Sequence, residues 1–241
     1  MPKNTDWSNN VDSLGTAYKA LVIGSSGTIG QAFVHTLQQD PNCHQVTPLS
    51  RASHPGFKLE SETGIAEAAA TLKDVGPFDL IIDATGALTI DGQGPEKQIG
   101  ALNAERLART FEVNAIGPAL LIKHFSPLLN TQRSVFAKLS ARVGSISDNQ
   151  KGGWYGYRAA KAALNMILQT AAIEIHRKRP EAIIAAMQPG TVASPLSQAF
   201  VAGHQTVTAS ESAQGLLHAL DQLTPRLGAH FIDFRGNEIP W

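Results

Sequence analysis

Ala20-Leu21-Val22-Ile23-Gly24-Ser25-Ser26-Gly27-Thr28-Ile29-Gly30 is the stretch from which the fold is read. A short apolar run stops at a glycine-rich loop, and from Gln31 to Gln39 the apolar residues Phe33, Val34 and Leu37 take helical spacing. Strand, loop and helix follow one another. In such a loop, backbone amides and the positive end of the helix can hold a pyrophosphate, and glycines permit the tight turn and the close approach. Three glycines alone are a common strand-to-helix turn. What favours dinucleotide binding is that this loop follows the first apolar strand of an alternating chain.

The alternation continues outward. Residues 46–49 are strand-like, 64–72 alanine-rich and helical, and 78–83 an apolar run of buried-strand length. Residues 86–100, rich in Gly, Asp and Gln, read as a loop before a helix over about 101–129 with a break at Gly117-Pro118. Residues 134–139 predict a strand, 154–178 a helix that stops before Pro180, and 182–187 another buried strand. After a loop with Pro189, Gly190 and Pro195, a helix near 210–223 and a strand over 229–234 complete the pattern. The expectation is an α/β fold: a doubly wound, mostly parallel sheet with helices on both faces, residues 1–18 forming a polar leader and 19–241 one domain.

Composition narrows the function. The 241 residues carry 20 Lys+Arg against 20 Asp+Glu, so no charge-driven partner is indicated, and 43% hydrophobic with 17% charged content suits a globular core. No basic stripe with interleaved aromatics points to nucleic acid. The single cysteine, Cys43, excludes an intrachain disulfide framework, and the eight histidines lack zinc-type spacing, so no metal is expected. With no apolar signal core and no run of about 18 apolar residues, a soluble, cytoplasmic protein without a membrane partner is expected.

Two further positions bear chemistry. The second strand should deliver a ribose-reading residue about 20 positions past the last glycine, an acid for NAD or an arginine for NADP. Ser50 and Arg51 stand there, while Asp40 and Glu60 lie well to either side, which favours NADP(H) over NAD(H). Tyr157 and Lys161, four apart near the start of a long helix, share one face and can address one ligand. A nearby ammonium favours the phenolate, making the tyrosine a proton donor and acceptor suited to carbonyl reduction. Tyr155 has Ala159 at the fourth position instead of a lysine and receives no role.

Together with Asn114-x-x-Gly117, a serine at a strand end and Pro189-Gly190, these features resemble the short-chain dehydrogenase/reductase family from Lys19 onward. The branch of C-factor-like proteins and sniffer-like carbonyl reductases is similar over 140–146 (SARVGSI), 152–165 (GGWYGYRAAKAALN) and the Ile239-Pro240-Trp241 ending. The resemblance implies a single-domain Rossmann fold and an NADP(H)-dependent oxidoreductase acting on a small-molecule carbonyl or alcohol. It implies that Tyr157 transfers the proton, Lys161 holds the nicotinamide ribose and lowers the tyrosine pKa, Asn114 supports a water relay to the lysine, and Ser140 holds the substrate carbonyl. Gly24, Ser26, Gly27, Thr28, Ile29 and Gly30 would line the phosphates, Ser50 and Arg51 the 2′-phosphate, and Ala84, Thr85 and Gly86 the adenosine. Pro189, Gly190, Thr191, Val192 and Ser194 would meet the nicotinamide, beside Asn114, Tyr157 and Lys161.

The chain departs from the family pattern in places. Thr28 stands at the loop's middle glycine, and Gly27 where many NADP-dependent members carry arginine, which leaves Arg51 as the main phosphate partner. Alignment on Val143-Gly144 puts Ala141 in the serine slot, and Ser145 is a second candidate beside Ser140; if neither hydroxyl reaches the site, the phenol acts alone. Trp154, Phe200 and Val201 suggest an apolar substrate wall. The family's association through helix faces, here 101–129 and 157–178, implies a homodimer or homotetramer. A second reading stays open, that of a dinucleotide-binding redox sensor or signalling protein without turnover.

Overall fold

The computed structural model describes Trp7, residues 10–193 and residues 206–241. Six strands, β1 (Tyr18–Ile23), β2 (Cys43–Leu49), β3 (Leu80–Asp83), β4 (Ser134–Leu139), β5 (Ala182–Gln188) and β6 (His230–Asp233), form one sheet in the order β2-β1-β3-β4-β5-β6. Every neighbouring pair is parallel. The inner strands β1, β3, β4 and β5 are mostly apolar because both sheet faces are covered there, whereas the edge strand β2 is polar and half-exposed. Leu21, Ile23, Ile81, Phe136 and Ile184 pack on one face with α2 (Glu62–Thr71), α4 (Gly117–Phe125) and α5 (Tyr155–Lys178). Their alternates Ala20, Val22, Ile82, Val135 and Ile183 pack on the other with α1 (Thr28–Gln39) and α6 (Ala209–Asp221). The order reverses at β1, whose chain leaves toward β2 on one side and returns as β3 on the other. In such sheets the crevice beyond the strand ends at the reversal is where ligands bind.

The expected helix over 101–129 divides. α3 (Ala104–Phe111) runs into a π-helical turn at Glu112–Ile116 before α4 begins. Pro118 lacks an N–H and cannot close the α-helical bond to the carbonyl of Asn114, so the irregularity falls one turn upstream of Gly117-Pro118. Gly117 instead bonds five residues back, to the carbonyl of Glu112. Ahead of β1, the amide of Val11 donates to Asp40, and Trp7 lies edge-on to Phe234. Among the described residues no helix is long and apolar enough to cross a membrane, and no metal-binding cluster of His, Cys, Asp and Glu forms.

Candidate active site

The glycine loop is built by exclusion of side chains. Gly24 leaves β1 with φ +80°, and a Cβ there would lie 3.0 Å from Cγ2 of Thr85. A Cβ on Gly30 would come within 2.2 Å of the Gly24 carbonyl oxygen, so α1 can pack this close only at glycine. Thr28 is exposed at the first position of α1, where its side chain meets no such restriction. Gly27 caps α1 without a side-chain hydrogen bond, leaving the first-turn amides as donors for an anion.

The loop opens on a cleft of about 370 Å³ whose wall includes Gly24, Ser26, Gly27, Ser50, Arg51, Ala84, Thr85 and Gly86. Eight of the expected cofactor residues thus share one cavity with Lys58, Glu60, Asp91 and Arg109, which the sequence reading did not place there. Glu60, distant from Arg51 in sequence, lines the same cleft, but Arg109 meets it at 3.4 Å and Asp91 at 3.9 Å. Arg109 also pairs with Glu112.

Beneath Ala84 and Thr85 lies a buried ion pair. Asp83 and Lys138 face each other in register on β3 and β4, with Nζ 3.1 Å from Oδ1. Lys138 also donates to the Thr85 carbonyl at 2.5 Å, and Asp83 accepts from the Thr85 amide and hydroxyl, so the turn before Gly86 is fixed from below.

At the far end, side chains from separate elements converge on Gly86, which has φ +135°. A Cβ there would lie 3.2 Å from Asn114 Oδ1 and 3.6 Å from Lys161 Nζ. Asn114, fully buried in the π turn, donates to the Ala87 carbonyl at 2.8 Å and accepts from its amide at 3.1 Å. Lys161 donates to the Leu139 carbonyl at 3.1 Å and stands 5.7 Å from the ring centroid of Tyr157. Burial pushes the Tyr157 phenol well above its usual value. Burial, followed by the charge of Lys138, holds the Lys161 ammonium well below its usual value, with Asp83 opposing. The expected lowering of the tyrosine pKa by the lysine is therefore outweighed here: desolvation penalises both charged forms.

Ser140 is buried and donates to Asn165 Oδ1 at 2.6 Å. Ser145, also buried, accepts from the Asp148 amide at 3.1 Å and lies 3.5 Å from the Ser147 hydroxyl. Trp154 stands edge-on to Tyr157, with centroids 6.2 Å apart. In the Pro189-Gly190 turn, the Pro189 carbonyl accepts from Ser212, and Thr191 and Ala193 exchange backbone bonds with Val207. Ser194, Phe200 and Val201 lie outside the described residues. The glycine cradle, the free first-turn amides of α1 and the cleft that runs from the loop to Gly86 fit a dinucleotide.

Comparison with known proteins gives the family. Residues 49–205 match the short chain dehydrogenase family. The chain is 30% identical over 190 residues, 78% of its length and 79% of the relative's, to 1-hydroxy-2-glutathionyl-2-methyl-3-butene dehydrogenase of Rhodococcus sp. strain AD45. It is 33% identical over 177 residues, 72% of its length and 99% of the relative's, to C-signal of Myxococcus xanthus. Its fold is similar to that of NADPH-bound carbonyl reductase from chicken fatty liver, with TM-score 0.78 and 21% identity over 94% of this chain and 95% of that one. The carbonyl reductase Sniffer of D. melanogaster has the same fold, with TM-score 0.76 and 18% identity over 94% of this chain and all of the other.

Proposed function

The chain belongs to the short-chain dehydrogenase family of oxidoreductases, and from that premise we propose that it interconverts a small-molecule carbonyl and its alcohol with NADP(H), Tyr157 giving and taking the proton. The observation that carries this reading is the convergence of Asn114 and Lys161 on Gly86, beside Tyr157 and at the end of a cleft that begins at the glycine loop. When bound, the nicotinamide supplies or accepts the hydride.

Every other role falls to the chain. Gly24, Ser26, Gly27, Thr28, Ile29 and Gly30 bind the pyrophosphate, and Ala84, Thr85 and Gly86 support the adenosine. Ser50 and Arg51 grip a 2′-phosphate, and that pair sets the preference for NADP(H). Pro189, Gly190, Thr191, Val192 and Ser194 hold the nicotinamide. Lys161 orients its ribose. Tyr157, kept protonated by burial, places its proton on the alkoxide as charge develops. Asn114, whose carbonyl Pro118 cannot satisfy through an α-helical bond, holds a water toward Lys161. Of the two serines, Ser145 is the better holder of the substrate carbonyl, because the Ser140 hydroxyl already donates to Asn165.

The protein is read as one domain in which residues 11–18 pack against the core ahead of β1, as cytoplasmic, and as a homodimer or homotetramer through the α3–α4 and α5 faces. The likeness to C-signal supports a second reading, a dinucleotide-binding signalling protein without turnover. A panel of ketones, aldehydes and quinones with NADPH or NADH separates the two. Turnover supports the enzyme, and NADPH binding without turnover of any panel member supports the sensor.

A further inference from the structure

α5 carries Tyr157 and Lys161, yet it has no side-chain cap of its own: Trp154, at its N-terminal edge, takes a left-handed conformation with φ 54° and ψ 42° and caps no amide through its side chain. First-turn amides of a helix need partners from elsewhere. Glu96, in the loop between β3 and α3, supplies them from 60 residues upstream. Its Oε2 accepts from the Gly156 amide at 3.0 Å, and its backbone carbonyl accepts from the Trp154 amide at 2.5 Å. The side chain is 4% exposed, and a carboxylate at the positive end of a helix is a favourable use of a buried charge.

Gly156 makes the reach possible, since a Cβ there would lie 3.2 Å from both carboxylate oxygens and 3.0 Å from Leu107. Glu96 and Tyr157 also border one small cavity of about 10 Å³, room for a single water, together with Thr110 and Arg106. Arg106 holds the same loop by donating to the Gly94 carbonyl at 2.7 Å.

We infer that Glu96 is a positioning residue for Tyr157: bonded to the backbone on both sides of Tyr155, it fixes the first turn of α5 and thereby the place of the phenol. This rests on the reading of Tyr157 as the proton donor. Glu96 touches no reacting atom, and its effect passes through the helix backbone. A displacement of about 1 Å can cost about 100-fold in rate.

The test compares Glu96→Ala, Glu96→Gln, Gly156→Ala and Tyr157→Phe in the full chain. Amide hydrogen exchange over 154–158, which needs no turnover, should accelerate at least tenfold in Glu96→Ala and stay near wild type in Glu96→Gln, which keeps an acceptor. On the best panel substrate, kcat should fall about 10- to 100-fold in Glu96→Ala, with the NADPH Kd within about threefold of wild type, and Glu96→Gln should restore it. Gly156→Ala, which pushes a methyl against the carboxylate without removing it, should reproduce the loss of kcat even where Glu96→Ala folds poorly. Unchanged exchange, unchanged kcat, equal losses in kcat and NADPH affinity, or a Glu96→Gln variant as damaged as Glu96→Ala would each overturn the inference. Retained turnover in Tyr157→Phe would instead overturn the proton-donor reading, and an inactive Tyr157→Phe beside a normal Glu96→Ala removes only the role of Glu96.

Discussion

The two ends of the cleft are made from different material. The proposed phosphate end is backbone: it is the loop from Gly24 to Gly30, and its requirement is that Cβ atoms be absent at Gly24 and Gly30. The proposed reaction end is side chain: Tyr157, Lys161, Asn114 and Glu96 arrive from three distant segments, and Lys161, Asn114 and Glu96 are each more than nine-tenths buried and hydrogen-bonded to a residue far away in sequence. A site of the first kind tolerates an exposed threonine at position 28. A site of the second kind depends on each group's burial and on what stands next to it.

If that contrast is right, substitutions at the reaction end should act on kcat and substitutions at the phosphate end on cofactor affinity. The largest effect short of the phenol itself is expected at Ser145. Ser145→Ala should lower kcat about 100-fold or more, as loss of one oxyanion donor does, whereas Ser140→Ala should stay within about tenfold; steady-state kinetics with both variants would show a reversal if Ser140 were the donor. At the other end, Gly30→Ala forces a methyl toward the Gly24 carbonyl, a strain of about 1–3 kcal/mol. Titration should then show NADPH bound roughly 5- to 150-fold more weakly, and an unchanged Kd would mean that the loop does not hold the phosphates.

Arg51→Ala sharpens the phosphate end further. A charge-assisted contact worth about 1.5–3 kcal/mol predicts roughly 10- to 100-fold weaker NADPH and unchanged NADH. Equal losses for both cofactors would remove the 2′-phosphate role.

The smallest effect lies away from both ends. Burial lowers the pKa of His230, whose Nε2–H donates to the Thr224 carbonyl, so the folded protein resists protonating it. Because the unfolded chain takes up that proton first, stability is lost as pH falls through the ordinary histidine value near 6.5 and toward the depressed folded value. The Tm should drop between pH 7.5 and 5.5, and less so in His230→Gln; identical drops would assign the loss to other groups.

The same contrast explains what the sequence could tell. The six strands and their helices were legible because fully buried parallel strands announce themselves as apolar runs, and β1, β4 and β5 fall within two residues of their expected limits. The glycine loop was legible because its pattern is local. Glu96 was not, because nothing near residue 96 says that its carboxylate closes a helix 60 positions later. Lys138 left a signal, a lone charge inside the apolar run of 134–139, but its partner Asp83 becomes evident only when β3 and β4 are set in register. Glu60 reads as remote from Arg51 along the chain and lies in the wall of the same cleft. The displacement of the helix break to Asn114 was within reach, since Pro118 withholds its amide from the residue four positions earlier.

The central claim is that the Tyr157 phenol moves the proton while the rest of the cleft binds the cofactor, and Tyr157→Phe beside Lys161→Ala tests it most directly. With the best panel substrate, Tyr157→Phe should lower kcat by about 100- to 10,000-fold and leave the NADPH Kd nearly unchanged, whereas Lys161→Ala should damage both. Wild-type turnover in Tyr157→Phe would contradict the account.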